Sequence, residues 1–106
     1  MKKVIYISGP ITGVPDYRLP FAAAAAELTK AGFIPLNPAS LPEGMSKAQY
    51  LRIDLAMLDA ADAILLLDGW ERSRGAWVEC SYAQYISKPH ASKVAELKEV
   101  LKYVRT

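Results

Sequence analysis

Val4-Ile5-Tyr6-Ile7-Ser8 is a β-branched and aromatic run halted by Gly9-Pro10. Its length and continuity predict a strand buried on both faces at the start of a parallel sheet. After a loop over Gly9–Pro15, the Ala-rich stretch inside Tyr17–Ala31 predicts a helix, and Gly32 stands where a C′ residue would end it. Phe33–Leu36 reads as a second, short strand, and Asn37–Gly44 as a Pro-rich loop. Ser46 is placed to N-cap a helix running to about Ala61. Ala63–Leu67 is the clearest buried strand, followed by a loop over Asp68–Gly75 and a helix over Gly75–Ser87. Lys88-Pro89-His90 breaks the pattern. Val94, Leu97, Leu101 and Val104 then recur at helical spacing, predicting a final amphipathic helix over Ser92–Tyr103.

Strands alternating with helices imply right-handed crossovers and a parallel sheet covered on both faces. The expected fold is α/β, a compact Rossmann-like three-layer sandwich with a parallel sheet of four strands, or five with a very short edge. At 106 residues the chain reads as a single domain over 1–106. Sheets of this kind bind ligands outside the carboxyl ends of their strands, where the Gly9–Pro15 and Asp68–Gly75 loops fall.

Composition narrows the partners. With 52% hydrophobic and 23% charged residues the chain is globular, and a net charge of +2 is too small to point to nucleic acid or membrane. A small ligand is the expected partner. One cysteine, Cys80, excludes an internal disulfide, and with one histidine, His90, there is little material for a metal site. The Gly9–Gly13 loop lacks the Gly-Lys-Ser/Thr of a phosphate-binding loop and the Gly-x-Gly-x-x-Gly of a dinucleotide fold, so ATP and NAD are not expected and no cofactor is inferred. Gly9 is nevertheless suited to close backbone approach to a ligand. No apolar run has the length of a signal or membrane segment, and the reading is cytoplasmic.

Two acids sit on the unexpected side of their helices. At about 100° per residue, Trp77, Ser81, Gln84 and Lys88 form a solvent stripe, with Glu79 opposite it among Gly75, Tyr82, Ala83 and Ile86. On the preceding helix Gln49, Arg52, Ala56 and Asp59 form the stripe, and Asp54 falls opposite, among Tyr50, Met57, Leu58 and Ala61. A buried ionised carboxylate costs several kcal/mol unless paired, hydrogen-bonded or facing a wet cleft. Two carboxylates converging near Tyr6 are the apparatus of glycosidic-bond chemistry, one as nucleophile or charge stabiliser and the other as proton donor. The plainer alternatives are a favourable charge on a helix dipole for Glu79 and a partner for a backbone amide or Arg52 for Asp54.

Three segments, Tyr6-Ile7-Ser8-Gly9-Pro10-Ile11-Thr12-Gly13, Asp54 to Asp62, and Ser73-Arg74-Gly75-Ala76-Trp77-Val78-Glu79, together resemble the nucleoside 2-deoxyribosyltransferase superfamily. Within it the chain looks like a small phage and prophage branch, domain of unknown function 4406. The resemblance spans roughly residues 4–90. It implies that Glu79 is the nucleophile attacking C1′ of the sugar, Tyr6 its orienter, and Asp54 the acid assisting base departure. It also implies that Ser73 and Gly75 hold the sugar or its 5′-phosphate. Ser73 is similar to the 5′-monophosphate N-glycosidase branch, whereas Pro10 and Thr12 stand where that branch carries Ser and Arg. Arg72 or Arg74 could supply the missing cation. Further ligand contacts are expected from Ser8, Gly9, Pro10, Ile11 and Gly13 in the first loop, from Asn37, and from Trp70, whose indole could stack on a base. Cys80 is expected to be an inert core thiol, and a homodimer or larger homo-oligomer is implied by analogy. The function expected is N-glycosidic bond cleavage or transfer on a nucleoside or nucleotide. The alternative is a non-catalytic protein of phage or prophage origin that binds or sequesters a nucleotide derivative.

Overall fold

The computed structural model describes residues 1–102, and strand and helix alternate along them as the apolar pattern predicts. The strands are β1 (Val4–Ser8), β2 (Ile34–Leu36), β3 (Ala63–Leu66) and β4 (His90–Ala91). Between and after them come helices α1 (Arg18–Lys30), α2 (Lys47–Ala60), α3 (Arg74–Tyr85) and α4 (Val94–Lys102). The Tyr103 and Val104 positions of the expected last helix lie outside the described residues. All strand pairs are parallel in the order β2-β1-β3-β4, giving the four-stranded alternative with a two-residue edge.

Period-two alternation in β1 divides the core. Ile5 and Ile7 pack with Phe21, Ala24 and Leu28 of α1 and Val94 and Leu97 of α4. Tyr6 points the other way, into a second core with Leu58, Ala61, Ile64, Leu66, Cys80 and Ala83 beneath α2 and α3. Three layers result, and Cys80 is buried as expected. Because β2 and β3 flank β1 on opposite sides, the crossover direction reverses there, and the crevice of such sheets opens at the carboxyl ends of β1 and β3.

Local chemistry sets the element ends. Ser46 accepts from the Gln49 amide at 3.1 Å while the Gln49 side chain accepts from the Ser46 amide at 2.8 Å, a reciprocal cap that fixes the start of α2. Lys88 donates to the carbonyls of Ala61 and Asp59 at 2.6 and 3.2 Å, satisfying the C-terminal end of the same helix. Both ends of the helix that carries Asp54 are therefore fixed. α3 begins at Arg74, one residue before the glycine expected to open it, because Ser73 takes the N-cap and accepts from the Ala76 amide at 3.3 Å.

At the carboxyl end of β1, Ser8 pairs with Leu66, and its carbonyl accepts from the Leu67 amide at 2.8 Å. A Cβ on Gly9 would lie 2.9 Å from Leu67 Cβ, an atom no rotamer change can move. Gly9→Ala is expected to cost about 1–3 kcal/mol by overpacking, read as a lowered urea midpoint with unchanged slope. A variant as stable as the parent would refute this account of Gly9. Among the described residues no helix is long and apolar enough to cross a membrane.

Candidate active site

Four side chains from three elements meet under the carboxyl half of β1. Tyr6 and Ser8 are two residues apart on one strand and so share its α2/α3 face; both are fully buried. Glu79, the sixth residue of α3, is 7% exposed, and Asp54 comes from the middle of α2, half-buried. The helical periodicity that placed both acids inward is what the structure shows: Gln49, Arg52, Ala56, Asp59, Trp77, Ser81 and Gln84 are exposed on the opposite faces. Being in the second turn, Glu79 lies beyond the part of α3 where a helix dipole acts strongly.

The hydroxyl of Ser8 donates to Glu79 Oε1 at 2.6 Å, a length typical of a charge-assisted bond. Two polar side-chain atoms are sealed from solvent without a partner, the Tyr6 hydroxyl and Asp54 Oδ1. Glu79 Oε2 has no hydrogen-bond partner among the described residues, but it is not sealed. Unpartnered buried polar atoms are uncommon in folded proteins, and here both belong to one cluster.

Electrostatics follow from this enclosure. Burial is the main cause that raises Glu79 to about 8; the Ser8 hydroxyl opposes it and the charge of Asp54 adds to it. Burial likewise raises Asp54 above the ordinary carboxylate range. Tyr6 is pushed far above the usual phenol range by burial first and then by the two carboxylates. Glu79 and Asp54 also act on each other, Asp54 raising Glu79 by charge and hydrogen bonding and Glu79 lowering Asp54 by hydrogen bonding, although no contact between them has the strict geometry of the bond from Ser8. Such a pair titrates as a unit.

The remaining expected contacts divide between the two faces of the sheet. Trp70 packs on the second core beside Tyr6, and its ring centroid lies 5.7 Å from that of Trp77. Ser73 and Gly75 open α3 one turn before Glu79. Gly75 is helical and a Cβ there would meet nothing within 4 Å, so open space stands on the face that Glu79 shares. Ile11 instead packs against the first core, on the α1/α4 face. Pro10 lines a cavity of about 290 Å³ on the same side as Phe21, together with Val14, Leu67, Asp68 and Ser92; neither acid borders it. Gly13 has φ +75° in the turn closed by the Val14 amide on the Ile11 carbonyl, which explains that glycine without a ligand. Asn37 follows β2 and accepts from the Ala39 amide at 2.9 Å, capping a short helical turn.

Arg72 lies near the turn at Gly69, where a Cβ would come 3.3 Å from its Nη2 and 3.4 Å from Pro10. Neither Arg72 nor Arg74 forms a salt bridge among the described residues, where the ion pairs are Arg18–Glu43 and Lys102–Glu99. The bond from Ser8 to Glu79 was not anticipated from the sequence, which offered Ser8 only as a ligand contact. Its signal was a polar residue two positions after Tyr6 in a strand otherwise apolar.

Comparison with curated proteins finds no match. Residues 3–91 match the model of a family described as a domain of unknown function (DUF4406), and the chain belongs to that family.

Proposed function

We propose that the chain cleaves or transfers the N-glycosidic bond of a nucleoside or nucleotide, with Glu79 as nucleophile, Asp54 as acid and Tyr6 as orienter. The observation that supports this most is a pair of carboxylates from two helices, enclosed against Tyr6 and Ser8 below the carboxyl edge of a parallel sheet. Chemistry of this type needs one ionised and one protonated acid. Glu79 Oε2 forms the bond to C1′ as the bond from C1′ to the base nitrogen breaks. The base takes the bonding pair and, with it, the proton of Asp54. Water or a second base then gives its proton to the Asp54 carboxylate as it attacks C1′, and the electron pair of the ester bond returns to Glu79, completing hydrolysis or transfer. A ligand would approach over Gly75, with the base toward Trp70. A homodimer or larger homo-oligomer belongs to the same proposal.

A second reading, nucleotide binding without turnover, is favoured by one fact. With Glu79 raised to about 8, most of it is protonated in the free protein at neutral pH, a poor state for a nucleophile. Incubation with deoxynucleosides, ribonucleosides and their 5′-monophosphates, with and without an acceptor base, separates the two by chromatography of released or exchanged base. Base release is the expected result. Saturable binding of a nucleotide with no turnover on any substrate would replace the enzyme by the binding protein.

A further inference from the structure

We propose that Ser8 is the positioning residue for the nucleophile, holding Oε1 of Glu79 from the sheet and leaving Oε2 free to react. The inference rests on reading the acids as nucleophile and proton donor, but its physical core is testable without substrate.

The geometry is specific. Ser8 is fully buried, so its hydroxyl has no access to bulk water, and its hydrogen is committed to Glu79 Oε1 at 2.6 Å. Its backbone is held by pairing to Leu66, by the Leu67 amide on its own carbonyl at 2.8 Å, and by Gly9 packed against Leu67. The donor is therefore a fixed point on the sheet, while the acceptor is carried by a helix capped at Ser73. A hydroxyl that donates favours the ionised carboxylate over the protonated one. Asp54 Oδ1, by contrast, is sealed and has no hydrogen-bond partner of comparable geometry among the described residues. The groups acting on Glu79 are Ser8 and Tyr6 from β1 and Asp54 from α2. Only Ser8 makes a hydrogen bond of good geometry to it, so Ser8 is the group that both holds the carboxyl in place and favours its ionised form. In the free protein burial and Asp54 still keep the proton on Glu79, and attack by Glu79 needs that proton to leave, which the Ser8 hydroxyl assists.

The test is a carbon-detected NMR titration of the Glu79 and Asp54 carboxyl carbons in the free protein, the parent against Ser8→Ala and Ser8→Cys. Cysteine is near-isosteric and a weak donor, and provides the reading should alanine prevent folding. Loss of the donor is expected to raise the Glu79 midpoint by about 1–2 pH units, the size of a hydrogen bond to a charged group. In turnover, kcat should fall with KM little changed, and the ascending limb of the pH profile should move to higher pH with the midpoint. A Glu79 midpoint unmoved in the folded variants overturns the proposal. A shifted midpoint in a protein that turns over no substrate leaves the hold of Ser8 on Glu79 established and refutes the catalytic reading alone.

Discussion

Glu79→Gln is expected to lower turnover by at least about 10³-fold while leaving ligand binding within a few-fold of the parent. The amide can still accept from the Ser8 hydroxyl, so the side chain keeps its place, but its oxygen cannot form the ester to C1′. On the proposed mechanism Asp54→Asn removes a proton donor instead of a nucleophile, and its loss should depend on the leaving base. About 10²–10⁴-fold is expected for a base that departs poorly without protonation, and less for one that leaves readily as an anion. Single-turnover kinetics on two substrates differing only in the base distinguish these cases. Equal losses in both variants for every base would remove the division of labour, and an active Glu79→Gln would remove the nucleophile.

The second large effect is on stability, and its sign is opposite to that of most carboxylates. Glu79 rises from an unfolded value of 4.5 to about 8 in the fold. The folded state then binds a proton more tightly than the unfolded state. Its contribution is fully present below about pH 4.5 and is lost as pH rises through about 8. Between pH 5.5 and 9 the parent should lose about 3 kcal/mol that Glu79→Gln does not, since the amide does not titrate. For a domain of this size that is roughly 10–20 °C in Tm. Thermal melts of both proteins across that range should therefore diverge, the variant becoming the more stable at high pH. Parallel curves would mean that the acid is not held in an apolar enclosure.

Much of the scaffold was legible because its signals are local. Val4–Ser8 announces a strand by composition and stops at a Gly-Pro pair, and Ser46 marks the start of α2 as an N-cap. The inward placement of Asp54 and Glu79 followed from counting turns, since a helix repeats its faces whatever it packs against. What escaped depends on residues distant in sequence. The bond from Ser8 to Glu79 spans 71 positions: a polar residue in an apolar strand signals that Ser8 needs a partner, but nothing near it says which. Gly9 was read as room for a ligand, but the tightest neighbour of its missing side chain is Leu67, a contact that exists only once β1 and β3 lie side by side. Pro10 and Ile11 are expected as ligand contacts from the first loop. The loop leaves the strand toward α1, however, and places them with the opposite layer.

Gly75 bears on how such a site could diversify. A glycine inside a helix forgoes about 1 kcal/mol relative to alanine, and at this position the backbone is ordinary and the surrounding space vacant. A Cβ installed there would meet no atom within 4 Å. If the proposed ligand approaches on this face, position 75 becomes an aperture stop one turn from Glu79, where added bulk would narrow the approach while the acids and their supports remain in place.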